Sequence, residues 1–257
     1  MPVRLFFIAL QFLTRVPVPA WVGFEPDWLK RCAPYFVPVG ALVGLGSAAV
    51  LWGASRVWPP GVAVGLAMAA SIYLTGGFHE DGLADTCDGL GGAVGRERAL
   101  EIMKDSRLGS YGALGLVLVL GLKAAALTAL VQRDLAGAAL ALVWAHGLSR
   151  ALPVALMRTL AYAGDLAHAK AKPLANGVSG RDLVLTAAFA LGLCAVAGAL
   201  RPDLARGLGT GLLLAALLGG WMARWLQRRL GGYTGDTLGA SQQLGEVALL
   251  LGVLAWP

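Results

Sequence analysis

Apolar runs too long for a soluble core divide this chain. They fall at 33–57, 62–76, 110–131, 135–156, 183–200, 204–226 and 238–256. One bilayer crossing takes about 20 apolar residues, so about seven spans fit, the second short enough to tilt or end deep. Lipid satisfies no backbone N–H or C=O group, which leaves only helices or closed barrels as spanning structures. Runs rich in Leu, Ala and Gly are helical in type, whereas a barrel alternates in short segments. The chain is 57% hydrophobic and 14% charged, against roughly a quarter charged in soluble domains. The expected fold is an all-α, polytopic transmembrane helical bundle. No polar linker separates two halves, so 1–257 reads as a single integral-membrane domain. Pro59-Pro60 breaks the chain between the first two spans. Gly40 and Gly44, one helical turn apart, permit close helix contact.

Charge fixes the expected orientation. Arg4, Arg15, Lys30, Arg31, Arg96, Arg98, Lys104, Arg107, Arg150, Arg158, Lys170, Lys172, Arg181, Arg224, Arg228 and Arg229 fall on one side under strict alternation of spans. Only Arg56, Arg133, Arg201 and Arg206 fall on the other, and Lys123 lies within a span. The positive-inside bias places the first side in the cytoplasm. It also accounts for the net charge of +6 without nucleic acid. The apolar stretch 5–13 lacks a clean small-x-small cleavage site, so it reads as a retained interfacial or re-entrant helix. Cys32, Cys87 and Cys194 are odd in number and widely spaced, which suggests neither a disulfide framework nor a zinc site. Cys194 reads as a packing residue; Cys87, beside an acidic cluster, reads the same way more readily than as a ligand or nucleophile.

Acidic residues are scarce, yet four of the 15 fall in the segment His79-Glu80-Asp81-Gly82-Leu83-Ala84-Asp85-Thr86-Cys87-Asp88. On a helix Asp81, Asp85 and Asp88 share a face. Carboxylates so crowded repel one another unless a cation lies between them. Mg²⁺ suits them, because it takes a few carboxylate oxygens and keeps waters and substrate phosphates. The plain alternative, a solvated acidic loop, fits poorly, because these groups adjoin a span and alternate with Leu83, Ala84 and Leu90. Gly82 and Gly89 weaken a helix and predict a bend within the segment. His79 is a candidate ligand or general base, balanced against an ordinary interfacial side chain.

Two further polar stretches fall on the same side. Lys104 and Arg107 are three apart and offer charge to phosphate oxygens, with positive-inside decoration as the plain reading. Asp105 is a candidate extension of the metal site. Gly109, Ser110 and Gly112 open a span whose first N–H groups could face an anion. In Gly231-Gly232-Tyr233-Thr234-Gly235-Asp236, Asp236 either caps the last helix or reaches a metal. Gln242 and Glu246 share a face further in, and an intramembrane carboxylate is a functional candidate because leaving it in lipid is costly. Arg150, one turn from His146, either pairs with Glu246 or faces the substrate. His168, in the polar loop with Lys170 and Lys172, carries no assignment.

Taken together these stretches resemble the cobalamin (5'-phosphate) synthase family. Gly77-Phe78-His79-x-Asp81-Gly82-Leu83-Ala84-Asp85-x-x-Asp88-Gly89-Leu90 is similar to its central motif. Lys104-Asp105-Ser106-Arg107-x-Gly109-x-Tyr111-Gly112 and Thr234-Gly235-Asp236-x-x-Gly239-Ala240 resemble its second and C-terminal motifs, and Gln11-Phe12-Leu13-Thr14-Arg15-Val16-Pro17-Val18-Pro19 its N-terminus. Glu80 and Cys87 depart from the residues usual there, and 158–181 fits loosely. The resemblance implies a multi-pass enzyme of the bacterial inner membrane that joins adenosylcobinamide-GDP to α-ribazole, or its 5'-phosphate, and releases GMP. It further implies a Mg²⁺ requirement. Its implied partners are those two reactants and the lipid bilayer, with a homo-oligomer or other cobalamin-assembly enzymes left open. On this basis Asp81, Asp85, Asp88 and Asp236 are the expected metal ligands. Lys104, Arg107, Arg150 and Glu246 are the expected substrate contacts. His79, Glu80 and Asp81 are the catalytic candidates, with His79 or Glu80 as base, all facing the cytoplasm.

Two other classes share some of these features. Membrane phosphotransferases and prenyltransferases acting on lipids also use aspartate clusters and Mg²⁺, but in differently spaced patterns. A proton-coupled transporter could use Glu246, Arg150 and His146 as a relay. No internal repeat is visible, and the ionisable groups gather at one face.

Overall fold

In the computed structural model, residues 1–164 and 177–256 are described; His168, Lys170 and Lys172 lie outside them. The elements follow the apolar pattern. A short helix α1 (Pro2–Leu13) and a single turn α2 (Pro26–Arg31) precede α3 (Phe36–Ala54), α4 (Pro60–Thr75), α5 (Phe78–Gly91) and α6 (Arg96–Lys104). Then come α7 (Ser110–Arg133), α8 (Leu135–Ser149), α9 (Ala151–Thr159), α10 (Gly180–Leu200), α11 (Ala205–Leu230) and α12 (Gly235–Leu254). Among the described residues six helical stretches are long and apolar enough to cross a membrane, and seven if α4 and α5 count as one bent span.

The centre of the bundle is α8 and α12, whose most apolar windows are 72% buried, while that of α10 is 11% buried. Leu114, Val117 and Leu118 on α7, Leu191 on α10 and Leu213 and Leu217 on α11 point outward, as a lipid-facing surface requires. Helices α3 and α8 pack closest where glycine permits it. A Cβ on Gly40 would lie 2.3 Å from the carbonyl oxygen of His146, and one on Gly44 would lie 2.7 Å from Val143 Cα. The stretch expected as one span at 135–156 is interrupted at Arg150, between α8 and α9. Pro153 explains the break, since it has no N–H to offer the carbonyl of Ser149. Helix α1 is too short to cross; it buries Leu5, Ile8 and Leu13 in a second core with Val22, Trp28, Phe36 and Met157.

Alternation of the spans puts the start of α3, the end of α4, all of α5 and α6, the start of α7 and the turn before α12 at one end of the bundle. Side chains tie elements together at the other end. Arg201 reaches Asp134 and Asp203, and Arg133 donates to the carbonyls of Leu254 and Trp256.

Candidate active site at one end of the bundle

Helix α5 turns away from α4 by 91°. Gly76 and Gly77 make that elbow, both at φ 72°, a left-handed conformation that side chains with a Cβ rarely adopt. Beyond it α5 runs unbroken from Phe78 to Gly91. The bend expected at Gly82 and Gly89 is therefore absent, and those glycines have another use. A Cβ on Gly82 would meet the Asp236 carbonyl oxygen at 2.8 Å and its Cα at 3.1 Å, and one on Gly89 would meet Met103. They let α12 and α6 close onto the acidic helix.

Asp81 is exposed and, with Glu80, lines an open cleft of about 670 Å³ walled by Phe12, Thr75 and Phe78. Asp85 is half-buried one turn further along α5, on the stretch that meets α12. Asp236 is half-buried in the first turn of α12. The cap of α12 is Thr234, in a reciprocal pair with Thr237 at 3.3 and 2.9 Å, so the capping role expected of Asp236 belongs to another residue. Asp85 and Asp236 both have interaction partners.

Asp88 is tied to the start of α7. Its Oδ2 accepts from Gly109 N and its Oδ1 from Gly112 N, each at 2.8 Å. The amides that open α7 do face an anion, but it is the protein's own. Arg107 is exposed and holds Asp105, with Nε 2.9 Å from Oδ1. The pairing lowers the Asp105 carboxyl to about 2 and engages both groups with each other. Lys104 is exposed on α6; neither it nor Arg107 walls the cleft, which takes only Leu108 from this segment. Cys87 packs against α7, where a Cβ on Gly115 would lie 2.4 Å from its Sγ.

Behind the cleft lies a buried polar chain that sequence reading grasped only in part. Lys123 Nζ is 2.6 Å from Glu246 Oε1, and His146 Nδ1 is 3.3 Å from Glu246 Oε2. Gln242 Nε2 donates to Glu246 Oε2 at 2.8 Å and to Ser149 Oγ at 2.9 Å. Gln243 Nε2 donates to Gln242 Oε1 and to Glu80 Oε1, both at 2.9 Å. Glu246 thus pairs with Lys123 rather than with Arg150. Arg150 is buried and donates through Nη1 to the carbonyl of His146 at 2.5 Å. Neither Arg150 nor Glu246 reaches the open cleft. His79 faces this interior and not the cleft, whereas Glu80 borders both. Lys123 was legible in sequence as an ionisable group within an apolar run, the signal that flags Glu246.

Among the described residues no group of three or more His, Cys, Asp or Glu side chains is drawn together as a metal site. The donors still suit Mg²⁺: they are hard carboxylate oxygens, Asp81 is open to the cleft, and Mg²⁺ takes only one or two carboxylates beside water and phosphate. Asp81 with one further carboxylate of this group would meet that demand; Asp88 accepts from two backbone amides.

Comparison with known proteins agrees with the motifs. A family model described as cobalamin-5-phosphate synthase matches residues 5–254. An adenosylcobinamide-GDP ribazoletransferase of Leptothrix cholodnii is 62% identical over 98% of this chain and 95% of its own. Enzymes of the same name from Shewanella amazonensis and Ralstonia nicotianae are each 44% identical over 98% of this chain and 95% of theirs. No solved structure matches. Similar to these relatives nearly from end to end, the chain belongs to the cobalamin-5-phosphate synthase family.

Proposed function

We propose that this chain is an adenosylcobinamide-GDP ribazoletransferase that works at the cytoplasmic face of the bacterial inner membrane. It joins adenosylcobinamide-GDP to α-ribazole or its 5'-phosphate and releases GMP. The observation that carries the reading is the meeting of α5 and α12, where Gly82 abuts Asp236 and Asp81 and Glu80 wall an open cleft. Family membership supplies the substrates, and the cleft supplies a place where two polar reactants can meet.

In the transfer, a ribose hydroxyl oxygen of the ribazole bonds to the phosphorus nearer the corrinoid. The bond from that phosphorus to the GMP oxygen breaks, and GMP leaves with the electron pair. Asp81, with Asp85 or Asp236, would hold Mg²⁺, which would supply charge neutralisation for the diphosphate. Glu80 accepts the hydroxyl proton. Its Oε1 is fixed by Gln243 at 2.9 Å, and its buried Oε2 has no hydrogen-bond partner among the described residues, which leaves that oxygen an unsatisfied acceptor. Glu80 is favoured over His79 because only Glu80 borders the cleft. Asp88 holds the start of α7 against α5 and so positions the wall of the site. The positive-inside bias supports the cytoplasmic orientation.

The test is GMP release by purified protein given both reactants, with and without Mg²⁺. Release is expected only with the ion present, and Asp81→Asn is expected to lower it at least a hundredfold while the protein remains membrane-inserted, on the order of the loss when one charge-stabilising group is removed. Near-normal turnover by Asp81→Asn, or full activity after chelation, would refute the carboxylate assignment. Conversion of a CDP-alcohol or a prenyl diphosphate instead would refute the substrate assignment.

A further inference from the structure

The transfer reading leaves one motif unused, the Thr14-Arg15-Val16-Pro17 stretch after α1. Its backbone is fixed on both sides of Arg15. Thr14 Oγ1 donates to the Leu10 carbonyl at 2.7 Å and accepts from Val16 N at 3.2 Å. Arg15 N donates to the carbonyl of Leu74, at the end of α4, at 2.7 Å. The side chain is exposed and lines the cleft that contains Asp81 and Glu80. Its guanidinium lies across Gly76, where a Cβ would be 2.6 Å from Nε. A side chain at the elbow would therefore push the guanidinium away.

Three other arginines at this end are engaged. Arg107 holds Asp105. Arg96 donates to the carbonyls of Leu230 and Ala163, and Arg229 to those of Leu90 and Gly92. Arg15 makes no ion pair among the described residues. Its one side-chain contact of note is with the ring of Tyr73, 5.9 Å from the guanidinium carbon, and that ring is itself 72% exposed. A cation held over a cleft, with its backbone anchored and its fork open, matches an anion from outside. A guanidinium grips phosphate with two parallel N–H donors.

We infer that Arg15 binds a phosphate group of a reactant in the cleft. The inference rests on the transfer reading above and adds a contact that the acidic motif does not supply. Two reactant phosphates share this chemistry, the diphosphate of adenosylcobinamide-GDP and the 5'-phosphate of the acceptor.

Steady-state kinetics on the full-length protein separate them. Arg15→Gln and Arg15→Lys would be assayed with adenosylcobinamide-GDP against α-ribazole and against its 5'-phosphate. Arg15→Gln is expected to raise one KM about tenfold, the scale of a lost charge-assisted hydrogen bond, and Arg15→Lys to recover part of it. A rise confined to the phosphorylated acceptor identifies the acceptor phosphate. A rise in the KM for adenosylcobinamide-GDP with both acceptors identifies the diphosphate. Unchanged KM values for both reactants, whether or not kcat falls, would overturn the inference; this is also the outcome if Arg15 meets only lipid headgroups. Asp81→Asn, run in parallel, reports on the transfer reading itself. An inactive Asp81→Asn beside an unaltered Arg15→Gln sinks this inference alone, whereas an active Asp81→Asn sinks the reading beneath it.

Discussion

A single lysine decides whether the interior of this bundle can hold a carboxylate. Glu246 is fully buried, and its ion partner is Lys123, itself 1% exposed. Removing one member of such a pair strands the other and costs about 3–5 kcal/mol, whereas replacing both is often near neutral. Lys123→Met is therefore expected to lower the thermal unfolding midpoint in detergent markedly, and Lys123→Met with Glu246→Met to recover most of the loss. A double variant as unstable as the single one would show that the pair is not the reason. The exposed pair Asp105–Arg107 behaves differently. The Asp105 carboxyl is lowered from 3.8 to about 2, so the contact is present above the ordinary carboxylate range and is lost only as pH falls through about 2. Between pH 5 and 9 its charge does not change, and any pH dependence of turnover in that window arises elsewhere.

At the scale of the helix, α5 depends on what its glycines admit. Gly82→Ala would set a methyl 2.8 Å from the Asp236 carbonyl, and backbone there cannot yield as a flexible side chain would. Turnover at least tenfold below the parent's is expected from a variant that still inserts and purifies, by the same sensitivity that makes ångström-scale misplacement costly. Unaltered turnover would show that α5 and α12 need not touch. The sequence pointed to the right segment but to the wrong local shape. Helix propensity counts Gly82 and Gly89 as breaks, whereas tertiary packing against α12 and α6 makes them the contact points of a continuous helix. Asp88 shows the same limit. Its amide partners lie more than 20 residues away on α7, and no periodicity within α5 reveals them. The Arg150 break was missed too, although Pro153 was there to be read.

The whole molecule was the most legible level, because the length of an apolar run is a one-dimensional property that needs no partner. Seven expected spans correspond to six long helices and one bent pair, and the motif stretches gather at one end as the alternation demanded. Their side of the membrane is testable by labelling. With an impermeant maleimide on intact spheroplasts, Arg56→Cys is expected to react, and Ser106→Cys only after permeabilisation. Labelling of Ser106→Cys from outside would invert the orientation.

The right-angled elbow at Gly76-Gly77 has a consequence for size. Because α5 lies crosswise at the mouth of the bundle, Asp81 stands in an open cleft and not down a shaft. On the transfer proposed above, a corrinoid bulkier than the cleft would need to place only its diphosphate tail there, and the finished product could leave without passing through the bundle.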